Sequence, residues 1–228
     1  MRPLTSLLFL VGLGLLLAAI LQRLEFGNPP MLIGDAINAA APDQVGTANI
    51  VTSVVLAYRG FDTLLELTIL FTAATAAGLV LGRERGDRPA DPEAGLIVRA
   101  GADLFFPLLL VVGLYIIFHG HLTPGGGFQG GVILAAAFFV PILARPSTPL
   151  GHEMTVLVEG LAGATFIGIG LLALFQGEAF LTPLLGTGTL GTLLSAGTLP
   201  LLYLAVGLKV GAELAGLLAS LAETGAES

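Results

Sequence analysis

Long apolar runs fix what this chain can become. A helix that crosses the hydrocarbon core of a bilayer needs about 20 mostly apolar residues. Six stretches approach or exceed that length: Leu4–Leu21, Phe61–Leu81, Leu104–Phe118, Phe128–Ala144, Met154–Phe175 and a sixth within Leu190–Leu218, where Pro200 is expected to kink the helix. Between them, charge is scarce. Only 11% of the 228 residues are charged, whereas a soluble domain carries about 25% to wet its surface. This excludes a cytosolic enzyme and a disordered chain, and a net charge of −7 excludes a nucleic-acid binder. With no cysteine, thiolate metal sites, disulfides and thiol catalysis are excluded as well. The expectation is an all-α polytopic membrane protein with six transmembrane helices. Its 32 glycines suit close helix packing in lipid.

Leu4–Leu21 has a second reading as a signal peptide, since it follows Arg2 and ends near Ala18–Ala19. The run is long for that, and no clean small-x-small cleavage site follows, so it is read as a retained span. Arginine counts orient the spans. With the N-terminus inside, the inner face holds Arg2, Arg83, Arg85, Arg88, Arg99 and Arg145, and the outer face holds Arg23 and Arg59. Six against two supports N-in, C-in. The polar loop Arg83–Arg99 divides the chain into two spans and four spans. In the outer segment Glu25–Tyr58, Pro29–Pro30 and Pro42 are expected to break helices. Thr47–Tyr58 is helix-compatible. Joined to the second span it would overshoot the bilayer, so it is read as an interfacial or partly buried helix.

No phosphate loop, dinucleotide fingerprint, HExxH or serine elbow occurs in the sequence, so no catalytic residue, metal ligand or cofactor is expected. Chemistry must come from ionisable groups inside spans, each of which costs at least ~2.5–3.5 kcal/mol to insert near the bilayer centre. Asp62 and Glu66 share one helix face at i, i+4, with Arg59 nearby. Two close carboxylates can hold a proton or cation; the plainer reading is an Arg59–Asp62 pair at the boundary. Glu159 should face protein or water, either as a functional group or as a neutral acid between helices. Lys209 and Glu213, again i, i+4, are placed toward the inner end, where Lys209 could snorkel or could pair with Glu159 and tune its proton affinity. Asp103 reads as a helix-start residue favoured by the dipole.

His119 and His121 close the third span and open the run His119-Gly-His-Leu-Thr-Pro-Gly-Gly-Gly-Phe-Gln-Gly-Gly131. Two histidines at i, i+2 do not share a helix face, which argues against a two-His metal site. One reading of Pro124, Gly125, Gly126, Gly127 and Phe128 is a tight helical hairpin. The other is that His121 and freed carbonyls line an ion or proton entry. Under the N-in orientation, Arg59, Asp62, Glu66, His119 and His121 form an outer group. Asp103, Glu159, Lys209 and Glu213 form an inner one, in a pattern resembling two half-channels.

His119–Gly131, the following Val132–Ala137 and Gly207-Leu-Lys-Val-Gly211 resemble the signature of the B subunit of Mrp-type multisubunit sodium/proton antiporters. Arg59-Gly-Phe-Asp-Thr-Leu-Leu-Glu66 is similar to a segment at the C-terminal end of the large Mrp A subunit and to the small E subunit of membrane-bound hydrogenases, with Leu65 where glycine is expected. The resemblance implies a fusion: a two-span module (1–84), a cytoplasmic linker (85–98), a four-span B-like module (99–221) and a tail (222–228). It also implies a prokaryotic plasma-membrane location, with sodium ions, protons, lipid and other complex subunits as partners. Asp62 and Glu66 become ion-path candidates, Lys209 part of a family motif, and Glu213 stands where a small residue is expected. Three functions compete: a subunit of a cation/proton antiporter, the membrane arm of a redox-driven complex, or a structural adaptor. Orientation is directly testable, because a cysteine replacing Asp87 would be unique. N-in topology requires that an impermeant thiol reagent label it only from inside; labelling from outside overturns it.

Overall fold

The computed structural model describes residues 2–23, 31–81, 92–146 and 151–224. Pro29–Pro30, Arg83, Arg85, Asp87 and Arg88, with much of the expected linker, lie outside the described residues. The described elements are α1 (Arg2–Leu21), α2 (Leu32–Val45), α3 (Ile50–Thr52) continuing as a π-helical stretch Ser53–Tyr58, α4 (Gly60–Leu81), α5 (Leu96–Phe118), α6 (Gly127–Ala144), α7 (His152–Phe175) and α8 (Leu199–Thr224). Six of them are long and apolar enough to cross a membrane. The chain forms two compact units, Met1–Ala36 and Ile37–Ser228. In the first, α1 is apolar along its length, with Leu4–Leu21 at mean hydropathy 2.6.

Three boundaries differ from the sequence expectation, each for a physical reason. The third span starts at Leu96 rather than Leu104. Its early turns carry charge that is neutralised: Arg145, just past α6, donates to both Asp103 carboxylate oxygens at 2.9 and 2.8 Å, and Arg99 pairs with Glu93. Asp103 is therefore not a helix-start residue but the eighth residue of α5, held by an arginine. Pro200 does not kink the last span. It is the second residue of α8, where a missing N–H has no intrahelical partner to lose. Pro42 does not break α2; it sits in the last turns of that helix. Thr47–Tyr58 is partly buried through Thr52, Ser53 and Leu56, and it is separated from α4 by a break at Arg59 (φ −127°, ψ 35°).

The second unit is organised around α8. α6, α7 and α4 all pack on it, and α5 packs on α6. Close approach of α6 and α8 rests on two small-xxx-small pairs, Gly127/Gly131 and Gly207/Gly211. A Cβ on Gly127 would lie 2.6 Å from Val206 Cβ and 2.8 Å from the Tyr203 carbonyl oxygen; one on Gly131 would lie 2.9 Å from the Gly207 carbonyl oxygen. A Cβ on Gly207 would in turn meet Ile117 of α5 at 2.4 Å. Ile117, Leu134, Tyr203, Val206 and Val210 fill the core around this crossing.

Between α7 and α8 runs a long connection, residues 176–198. Its Leu181 (φ 65°) and Ala196 (φ 69°) are fully buried in the left-handed region, a backbone that L-residues rarely adopt. Leu181 packs where Gly60 opens α4: a Cβ there would lie 2.6 Å from Leu181 Cδ1.

Gly131→Ala should destabilise the detergent-solubilised protein by about 1–3 kcal/mol, because backbone atoms must move apart. Gly160, with nothing within 4 Å of its would-be Cβ, should accept alanine without loss. Equal thermal stability of the two variants would refute the crossing as the organising contact.

Candidate functional site

Lys209 is the eleventh of the 26 residues of α8, near mid-helix rather than toward its inner end. The Gly207/Gly211 face is occupied by α6, which leaves the lysine on the side facing α7 and α4. Its ammonium lies 3.2 Å from Glu159 Oε1 on α7 and 3.3 Å from Glu213 Oε2 one turn along α8. It also sits over the Phe71 ring of α4, 5.0 Å from the centroid. Lys209 and Glu213 are 8% and 5% exposed, so Lys209 does not snorkel to an interface. The structure thus brings together three of the residues singled out in the sequence, from two helices. Their formal charge is −1: two carboxylates and one ammonium. Neither Glu213 oxygen accepts a hydrogen bond among the described residues.

A cavity of about 180 Å³ adjoins this triad. It runs between α4 and α7 over α8, from Glu159 and Glu213 to Gly78, Thr155 and Ser220 near the helix ends.

The other ionisable candidates are placed differently. Arg59 pairs with Asp62 on the exposed start of α4. Glu66 is exposed and makes no hydrogen bond or ion pair among the described residues. Neither acid is joined to the triad by such a contact.

At the opposite end of the bundle from the cavity mouth, the His119–Gly131 run forms a braced turn. The Gly120 carbonyl accepts from Asn49 Nδ2 and Thr52 Oγ1, both at 2.8 Å. The His121 carbonyl accepts from the backbone N–H groups of Ala48 and Asn49. The Gly120 and His121 carbonyls are therefore taken by the segment before α4. Pro124 is exposed, Gly125 lies against Ile116, and Gly126 (φ 137°) allows the chain to turn into α6. Gly127 makes the crossing on α8, and half-buried Phe128 packs on the core. His119 stacks on Tyr115, with ring centroids 4.0 Å apart, and its Nδ1–H donates to the Tyr115 carbonyl. His121 is fully buried and stacks on Tyr203; its Nε2–H donates to the Thr192 carbonyl at 3.2 Å. A carbonyl only accepts, so the proton of neutral His121 is on Nε2.

Burial is the main effect that pushes the His121 pKa below its ordinary 6.5; the Thr192 bond opposes the shift and nearby His119 adds to it. The folded state therefore favours the neutral ring. Below about pH 6.5 the unfolded chain takes up the proton first, so this contribution is present at neutral pH and lost as pH falls through the folded value. The protein in detergent should melt at lower temperature at pH 5 than at pH 7.5. His121→Gln, which keeps an N–H donor, should flatten part of that dependence; an unchanged profile would exclude His121 as the titrating group.

Asn49, Thr52, Phe71, Tyr203 and Thr192 escaped the sequence reading. They carry no formal charge, and their roles come from distant partners. The connection 176–198 did leave a signal, in Thr182-Pro183 and glycines 186, 188, 191 and 197.

Fold and site define a multi-pass α-helical membrane protein with a buried charge cluster at mid-bundle and apolar outer helix faces. Residues 97–216 match the family described as a domain related to the MnhB subunit of Na+/H+ antiporter, and the chain belongs to that family. It is 32% identical over 105 residues to the putative antiporter subunit mnhB2 of Staphylococcus haemolyticus, covering 41% of this chain and 74% of that one. Among solved structures, it resembles a chain of the membrane-bound sulfane sulfur reductase, an archaeal respiratory membrane complex. That match has a TM-score of 0.82 and 36% identity, covering 96% of this chain and 97% of that one. It also resembles a chain of the Mrp complex from Dietzia sp. DQ12-45-1b, with a TM-score of 0.76 and 26% identity. There it covers 98% of this chain but only 26% of the longer one. The protein is thus homologous to Mrp antiporter B subunits and to a subunit of a membrane respiratory complex.

Proposed function

We propose that the chain is a non-redox membrane subunit of a cation/proton antiporter-type complex, where it helps form the ion path and joins proton-translocating subunits. The observation that carries this reading is the Glu159–Lys209–Glu213 triad. Buried ion pairs are weak stabilisers compared with apolar packing, and ionisable groups at membrane depth mark ion or proton pathways by default. A lysine held between two acids can pass a proton or yield one carboxylate to a cation. Asp62, half-buried and paired with Arg59, and the exposed Glu66 on α4 then belong to the same path where a neighbouring subunit covers them. The division into an A/E-like part (1–84) and a B-like part (99–221) is part of this proposal. It is supported by the match to a quarter of a much longer Mrp chain.

A second reading is favoured by one observation. The chain corresponds almost end to end with a chain of the sulfane sulfur reductase complex. In that case, the same module would sit in the membrane arm of a complex driven by electron transfer in other subunits. Purification in mild detergent separates the two. Co-purifying antiporter subunits support the first reading, and iron–sulfur or other redox subunits support the second.

The ion-path role itself is tested at Lys209. Arginine keeps the charge but does not release its proton. Lys209→Arg should therefore assemble normally yet slow sodium-dependent proton movement in everted vesicles by about tenfold or more, as expected for loss of a proton-transfer group. Glu159→Gln should do the same. Full transport in both assembled variants would leave only the adaptor role.

A further inference from the structure

The cavity beside the triad reaches from two carboxylates toward the helix ends between mostly small and apolar residues. Its inner limit is set by Glu159 and Glu213. Its outer limit is set by Gly78 of α4, Thr155 of α7 and Ser220 of α8, each within about a turn of the end of its helix. From Glu213 to Ser220 is seven residues, or about 10 Å along the helix axis. The floor of small residues (Ala212, Gly216) keeps it open.

Two observations show what the cavity can hold. Glu213 is buried, its side chain 2% exposed, and it lines the cavity; among the described residues neither of its oxygens accepts a hydrogen bond, and its one ion-pair contact is Lys209 Nζ at 3.3 Å. Separately, the triad has one carboxylate in excess. An alkyl chain filling the cleft would leave that excess charge in hydrocarbon, the costliest arrangement available. Water with one positive charge offsets it. Among the described residues, the titratable groups lining the cleft are Glu159 from α7 and Glu213 from α8, with Lys209 in contact with both. α4 contributes Phe71 and Thr75, neither of which titrates.

We propose that this cleft is a water-accessible vestibule, open at the end of the bundle where α4 finishes, that leads to a monovalent-cation site. One proton or one alkali-metal ion lies there between the Glu159 and Glu213 carboxylates and competes with Lys209 for them. The inference rests on the ion-path reading above and gives that path a location and a side of entry.

The test uses the full chain in its complex, in oriented vesicles, with single cysteines at Thr75 and Gly216 in the cleft and at Ile69 on the exposed face of α4. Gly216 tolerates a side chain, since its Cβ would meet only Thr155 Cγ2, at 3.7 Å. A charged methanethiosulfonate reagent reacts with thiolate, which forms only in contact with water. Thr75→Cys and Gly216→Cys should thus be modified at least about tenfold faster than Ile69→Cys, and from one face of the membrane only. If sodium in place of choline slows that modification, and Glu213→Gln removes the effect, the occupant is an alkali ion. If sodium has no effect but an infrared carboxylic-acid band at neutral pH disappears in Glu213→Gln or Glu159→Gln, the occupant is a proton. Cleft cysteines no faster than Ile69→Cys overturn the vestibule. Absence of both sodium protection and the acid band overturns the site. A dry cleft in a protein whose Lys209→Arg variant is transport-defective would end this inference alone, leaving the ion-path role in place. A wet, sodium-protected cleft with a fully active Lys209→Arg variant would instead end Lys209's part in that role.

Discussion

Everything in the second unit depends on how closely α6 and α8 approach. Lipid tails are as apolar as leucine, so helices in a membrane gain little from hiding apolar surface from one another; they associate through close contact. Gly127 and Gly131 facing Gly207 and Gly211 supply that contact backbone to backbone. The pentapeptide Gly207–Gly211 has two duties. Its ends fit one helix face against α6, and its middle residue is Lys209 on another face. Locking the glycines into the crossing therefore fixes the direction in which the lysine leaves the helix. The charged site inherits its geometry from an apolar contact.

The two ends of the bundle are built differently. At one end, the turn after α5 is tied down by Asn49 and Thr52 and overlain by the 176–198 connection, whose Thr192 reaches buried His121. At the other end, the helices leave a cleft whose mostly small and apolar lining is interrupted by Thr75, Thr155, Ser220 and the Glu159 and Glu213 carboxylates. Under the proposed ion-path role, such an asymmetry gives the buried charges one approach through this chain. Exit on the other side then falls to surfaces that this chain presents to others, among them the exposed face of α4 with Glu66.

The membrane class, the six spans and the residues of the triad were legible in the sequence because all three follow from local pattern: apolar length, and charge where none is expected. The pairing of Lys209 with Glu213 followed from helical spacing alone. That with Glu159 was one of two readings, and only the packing of α7 on α8 selected it. The start of α5 departs from the sequence expectation because Arg99 and Asp103 read as a polar boundary until their partners, Glu93 and Arg145, are in view. Pro42 and Pro200 show the same limit. A proline's effect depends on its position within the helix, and that position is set by boundaries the sequence defines loosely. The His119–Gly131 run was legible as unusual; that its Gly120, His121 and Thr123 carbonyls are satisfied from residues 48–52 is a long-range fact without a local trace.

Phe71 has a consequence for movement. Its ring touches the lysine from a helix that also carries, five residues earlier, the exposed Glu66. Turning α4 by a single residue step, about 100°, would swing the ring off the ammonium and leave the lysine to its two acids. A neighbour that grips the outer face of α4 would thus hold a lever on the charge balance at the centre of the protein without touching it.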